Sequence, residues 1–391
     1  MLGKNMLGNK RRLIVGLAFN KLADLLASAK TTLPALLISL GAPSWMVMWL
    51  VPIRESGALL PQALIGVYLR KKSARHHVWR LGMAIQISAI CTMLAAAVVT
   101  EGFVAGLIIL ASLVFLSLGR SASSLTVKDM EADISQKGER GKLVGLASTA
   151  SGVMTLCAAV PLVYFERELE GYSIFILLAS SALAFCITLF LMFSIKTHVE
   201  IEESQNKSLF NWRFDNTVYR FVFVRGLFVH SALVAPYFML ESSQNAKSLL
   251  PFYLAAQALA SMLSSFLWGK IADKSARFTL QLSGVLALIA CVGLLAMEPE
   301  SVWLSAGLFF ILSIAHAGVR TGRKTYSLDI KEGQDRTELV GFSNTAIGLI
   351  LLGFGGVYAI VSSFIDFSVV YIMAAMLTVA ICTTLMLPKE K

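Results

Sequence analysis

The sequence predicts an all-α membrane protein of twelve transmembrane helices, arranged as two pseudo-symmetric six-helix bundles. Three observations carry that expectation. The chain of 391 residues is 56% hydrophobic and only 15% charged, where a soluble chain carries roughly a quarter charged residues. Basic residues fall in alternate loops between the apolar runs, as membrane orientation requires. And one pattern occurs twice without a gap, 196 residues apart: Asp133, Arg140, Leu143-Val144-Gly145, Thr149-Ala150 and Gly152, then Asp329, Arg336, Leu339-Val340-Gly341, Thr345-Ala346 and Gly348. An offset of about half the chain reads as one unit duplicated and fused.

A span needs about 20 mostly apolar residues. That length criterion places spans over 13–39, 44–68, 79–99, 102–123, 143–165 and 172–195, then over 217–240, 248–269, 278–297, 301–322, 339–362 and 367–387. All are read as helices, because in hydrocarbon only helices and closed barrels satisfy every backbone group. The short alternating strands of a barrel are absent from the sequence.

Loop charge then sets the sides. Lys4, Lys10, Arg11 and Arg12 precede the first span, and Arg70 to Arg80, Lys128 to Lys142 and Lys270 to Arg277 follow on the same side. Arg320, Arg323, Lys324, Lys331 and Arg336 are read as loop charges of that side too, whereas the outer loops hold only Arg167 and Lys247. Both termini are therefore expected in the cytoplasm, with the protein in a bacterial cytoplasmic (inner) membrane. No cleavable signal pattern precedes the first span. The polar stretch 196–216 reads as a linker between bundles 1–195 and 217–391.

This alternation accounts for the net charge of +10 and removes nucleic acid as an expected partner. The lipid bilayer and a small-molecule substrate are the expected partners, and a monomer the expected state. Cys91, Cys157, Cys186, Cys291 and Cys382 lie singly in apolar segments, so they read as small hydrophobes. Neither a metal nor a cofactor is expected.

After the eighth span comes Gly269-Lys270-Ile271-Ala272-Asp273-Lys274-Ser275-Ala276-Arg277. This resembles the signature loop of the major facilitator superfamily of secondary transporters. The first half has Gly66 and then Arg70-Lys71-Lys72-Ser73-Ala74-Arg75, with a basic residue where the family's aspartate is expected. Lys72 to Arg75 and Lys274 to Arg277 share Lys-Ser-Ala-Arg, which supports the duplication independently. The resemblance implies a conformational latch at Gly269, Asp273 and Arg277. Asp133 with Arg140, and Asp329 with Arg336, are candidate latches or structural anchors of the repeated loops. The glycine-proline pair of the family's antiporters is missing from the fifth span, whose one proline is Pro161. The subfamily is not identified.

Charged residues inside spans cost several kcal/mol and each needs a reason. On the first helix Asn20, Lys21, Asp24, Ser28 and Thr31 share a polar stripe, with Lys21 and Asp24 spaced to pair. Lys30 points away from Asp24 and needs another partner. Arg54 and Glu55 are adjacent in the second helix, so they face different neighbours, with Gln62 on the side of Glu55. Arg120, Arg225 and His230 complete the candidates, with Tyr237 two turns beyond His230 on the same face. His316 reads as a hydrogen-bonded packing residue. Five deep bases against two acids favour an anionic solute, and Asp24 and Glu55 are the candidate carriers of a coupling proton.

The function expected is secondary active transport of a small organic anion by alternating access. Efflux of amphipathic drugs or metabolites is the alternative, and a non-transporting receptor of the same fold a remote one. No phosphate-binding loop, His-Glu-x-x-His or Gly-x-Ser-x-Gly occurs, so no enzyme is expected.

Overall fold

The computed structural model describes residues 2–70, 74–134, 140–164, 172–195, 214–242, 246–297, 301–330, 333–364 and 367–388. Among them every regular element is helical. The predicted linker, residues 196–216, lies almost wholly outside the described residues, as do Lys71, Lys72 and Ser73.

The first predicted span is two helices, α1 (Leu2–Leu26) and α2 (Thr32–Ser39). The break falls just ahead of Pro34, which sits in the first turn of α2, where its missing N–H removes no helical bond. The interruption satisfies its own backbone: Ser28 Oγ accepts the Lys30 N–H at 3.1 Å, and the Ser28 carbonyl accepts that of Leu33 at 3.0 Å. Lys30 thereby leaves the helical register on which its predicted direction depended.

Prolines divide the second span in the same way, into α3 (Ser44–Met48), α4 (Leu50–Leu59) and α5 (Pro61–Arg70). The seventh is α10 (Asn216–Leu227), α11 (His230–Leu233) and α12 (Tyr237–Leu240), with Pro236 immediately before α12. The Asp215 side chain caps α10 by accepting the Val218 N–H at 3.1 Å. Pro34 and Pro236 stand 202 residues apart, the separation of the two Lys-Ser-Ala-Arg motifs. The first helix of each half is thus broken at corresponding points.

The remaining helices are α6 (His76–Val99), α7 (Gly102–Ile134), α8 (Arg140–Tyr164), α9 (Ser173–Met192), α13 (Ala246–Ala272), α14 (Ala276–Met297), α15 (Val302–Ile330), α16 (Gly333–Phe364) and α17 (Val370–Thr383). Helices α7 and α15 run well past their predicted ends. Seven helical stretches among the described residues are long and apolar enough to cross a membrane. Large apolar side chains such as Leu81, Val98, Phe115, Phe190 and Phe364 are exposed on the helix bundle, where lipid tails are a better solvent for them than water. The chain is an integral multi-pass membrane protein.

Small polar residues tie neighbouring helices together inside. Ser181 on α9 donates to the Ala23 carbonyl of α1 at 2.8 Å, and Thr188 to that of Gly16 at 3.2 Å. Contacts between the two sequence halves run chiefly through α8 with α13 and α4 with α16. A glycine sits at each crossing. A Cβ on Gly348 would come within 2.6 Å of Leu60 Cγ, and one on Gly152 would strike Met262.

Gly152 and Gly348 are repeat equivalents, and Leu60 and Met262 are again 202 residues apart. The two crossings are one contact made twice. Gly348→Val should therefore lower stability by about 1–3 kcal/mol through overpacking, read as a lower Tm in detergent. An unchanged Tm would mean the crossing is not tight.

Candidate functional site

A cavity of about 570 Å³, counting its open mouth, lies between the halves. Its wall includes Leu25 and Lys30 from the first half, and Ser231, Gln257, His316 and Arg320 from the second. The break between α1 and α2 delivers Lys30 to this wall, since a side chain in a continuous helix would have kept its predicted direction.

Asp24 anchors the first-half side. It pairs with Arg54 Nη2 at 2.5 Å and also with Arg120, joining α1, α4 and α7 through one carboxylate oxygen. Beside this triad, Asp24 also acts electrostatically on Lys21, its predicted partner. Arg54 and Asp24 keep 11% and 14% side-chain exposure, so Arg54 must be neutralised within the protein. Lys21 is acted on by Arg320 and Glu131 as well as by Asp24. Asn20, one turn before Asp24, is half-buried.

Glu55 differs from Asp24. Among the described residues it makes no hydrogen bond or ion pair, yet Lys30, Arg323, Arg120 and Arg320 all act on it electrostatically. These cations also act on one another: Lys30 feels Arg320 and Arg323. Lys30, Arg320 and Arg323 have no ion pair among the described residues. Arg320 is exposed, by way of the cavity.

Reading Arg320 and Arg323 as loop charges is therefore corrected. Helix α15 continues to Ile330, and both arginines belong to it. His316 has a hydrogen bond, its Nδ1 sharing one of 3.2 Å with Ser231 Oγ, and it also lines the cavity. A signal for all three is present in the sequence. Ser313, His316, Arg320 and Arg323 recur at helical spacing and form one polar stripe on α15.

Arg225 of α10 donates to Ser343, and to Asn344 Oδ1 at 2.8 Å. Asn344 in turn donates to Gln62 Oε1 at 3.1 Å, so Gln62 serves a contact between α5 and α16 rather than Glu55. His230 Nδ1 donates to the Leu227 carbonyl at 2.6 Å, which leaves Nε2 to accept from Tyr358 at 2.6 Å. The predicted common face of His230 and Tyr237 assumed an unbroken helix. They sit on separate short helices, and Tyr358, which bonds His230, also acts on Tyr237. Tyr237 is buried, its hydroxyl has no hydrogen-bond partner among the described residues, and it lines a second pocket with Glu241, Ser44 and Met48. Tyr358→Phe should cost about 1–3 kcal/mol by leaving the buried His230 Nε2 unsatisfied; an unchanged denaturation midpoint would count against this bond.

Residues 217–391 match the family model described as Major Facilitator Superfamily. The whole chain shares its fold with solved transporters of that kind. The inward-facing structure of a bacterial homologue of the iron transporter ferroportin superposes with TM-score 0.70 and 15% identity, over 97% of this chain and 98% of that one. The inward-open xylose transporter XylE from E. coli gives 0.67 and 13%, over 100% and 97%. The C-terminal half thus matches the major facilitator superfamily, and the whole chain has the fold of these solved transporters.

A POT family transporter is also similar, with TM-score 0.70 and 10% identity over 96% and 94%. No curated protein sequence matches the chain. It has the fold of these solved transporters. Its signature loop follows α13, with the Asp273 N–H donating to the Gly269 carbonyl at 3.0 Å. Asp273 is exposed, and among the described residues no ion pair joins it to Arg277, which donates to the Leu387 carbonyl at 3.0 Å. The side chains of Asp133, Arg140, Asp329 and Arg336 lie outside the described residues.

Proposed function

We propose that this chain is a secondary active transporter of the major facilitator superfamily, for a small organic anion. It works by alternating access between two six-helix bundles, residues 1–195 and 217–391, with the basic-loop end and both termini in the cytoplasm. The observation that carries the anionic reading is the pair Lys30 and Arg320, which line the cavity from the two halves with no protein ion pair among the described residues, with Arg323 one turn along α15. Fixed positive charge in a low-dielectric wall calls for an anion to compensate it. The same surplus disfavours a metal cation as cargo.

Glu55 is the better candidate for a coupling proton, because Asp24 is committed to two arginines. The inward-facing form of the ferroportin homologue fits this chain better than its outward-facing form, with TM-scores of 0.70 and 0.60. That supports reading the present conformation as inward-facing. The glycine crossings would then be the surfaces that part and close during the cycle.

Uptake into proteoliposomes under an imposed proton gradient tests the coupling. Glu55→Gln should abolish gradient-driven accumulation of an anionic metabolite while solute exchange persists. Accumulation at the wild-type level would remove Glu55 from the coupling. In a background without native cysteines, oxidised Leu60→Cys/Gly348→Cys and Gly152→Cys/Met262→Cys pairs should each arrest transport, reversibly on reduction. Undiminished transport through a formed cross-link would contradict rocking about these contacts.

A further inference from the structure

We infer that the cavity is built for a solute carrying two negative charges, a dicarboxylate or a phosphate monoester; this rests on the anionic reading above and makes it specific. The argument is a charge count made on partners. Arg54 and Arg120 are held by Asp24. The surplus charge of that triad falls on Arg120, which is not among the residues lining the cavity. Arg225 is hydrogen-bonded to Ser343 and Asn344 and is not among the residues lining the cavity.

What remains lining the cavity is Lys30 and Arg320, with Arg323 one turn beyond Arg320 on α15 and Glu55 as the acid that acts on all three. Glu55 and Arg323 offset one another, which leaves the two lining cations, Lys30 and Arg320, for the solute to meet. Arg320 and Arg323 are three apart on α15 and project from one side of it, while Lys30 reaches in from the break after α1. The acidic groups of the solute would therefore be bound from two sides, one by each half of the chain.

Neutral groups fit the same ligand. Ser231, His316 and Gln257 line the wall and can bond the remaining oxygens. Leu25, Phe309 and Leu312 supply the apolar surface that a short carbon skeleton between two acidic groups would cover. Glu55 sets the count. Removing its charge should raise the preferred charge of the ligand by one.

The test is thermal stability of the purified full-length protein in detergent, at matched ionic strength, with a series differing in charge: xylose, monomethyl succinate, succinate, tricarballylate and glycerol phosphate. Succinate or glycerol phosphate should stabilise at a concentration at least tenfold lower than monomethyl succinate. Which of the two does so separates a dicarboxylate from a phosphate ester. Arg320→Gln should erase the advantage of the second charge, and Glu55→Gln should move the optimum to tricarballylate. Equal responses to succinate and monomethyl succinate would overturn the charge count and leave the anionic reading standing. Stabilisation by xylose alone, or by none of the anions, would overturn both.

Discussion

Asp24→Asn is expected to lower the stability of the purified protein by about 3–5 kcal/mol, because it strands two arginines on a lost counter-charge. Asp24 is the direct ion-pair partner of both Arg54 and Arg120. Arg54 is 11% exposed and cannot recover hydration by moving a short distance. The effect should appear as a large drop in Tm in detergent. Combining it with Arg54→Met should recover a substantial part of the loss, since removing both members of a buried pair costs far less than removing one. A single Asp24→Asn variant as stable as the wild type would show that the triad is not structural.

Arg320→Gln and Lys30→Gln are expected to act the other way. Each should reduce anion transport by about a hundredfold or more, in the range seen when a buried charged hydrogen-bonding partner is removed. Neither should lower stability, and relief of the repulsion among Lys30, Arg320 and Arg323 should hold Tm or raise it. The contrast in sign separates two uses of charge inside one bundle. A charge that holds helices together loses stability when neutralised; one that waits for a ligand does not. Transport lost together with a fall in Tm of the Asp24→Asn size would place Arg320 with the structural charges instead.

How much of this was legible in the sequence depends on the physics that each feature uses. Hydrophobic length and loop charge are properties of the chain itself, so the helical membrane architecture could be read directly, as could the duplication. The proline-led breaks were not read from hydropathy, because Pro34 and Pro236 sit inside apolar runs that look continuous. Missing the first break misdirected Lys30, whose place in the cavity depends on leaving the helix.

Asp24, Arg54, Glu55 and Arg120 stood out as charges within apolar segments, but their pairing is tertiary. Three-residue spacing favoured Lys21 for Asp24, and the fold also brings Arg54 and Arg120 to it from two other helices. Arg320 and Arg323 were hidden for a different reason. A charge near the end of a span resembles an orienting loop charge, and only the length of α15, Val302–Ile330, returns both to the helix. The stripe from Ser313 to Arg323 was visible and would have corrected the boundary. The glycine crossings needed the fold as well, since repeated Gly152 and Gly348 do not name Met262 and Leu60 as their neighbours.

The central claim is that Lys30 and Arg320, with Arg323 one turn along α15, form the binding surface for an organic anion. Solute counterflow in proteoliposomes, with no ion gradient imposed, tests it most directly because exchange requires binding and alternation but no coupling. Wild-type vesicles loaded with succinate or glycerol phosphate should accumulate the labelled solute transiently, neutral xylose should not compete, and Arg320→Gln should be silent. Exchange confined to neutral or cationic solutes, or wild-type exchange of the anion by Arg320→Gln, would contradict the account.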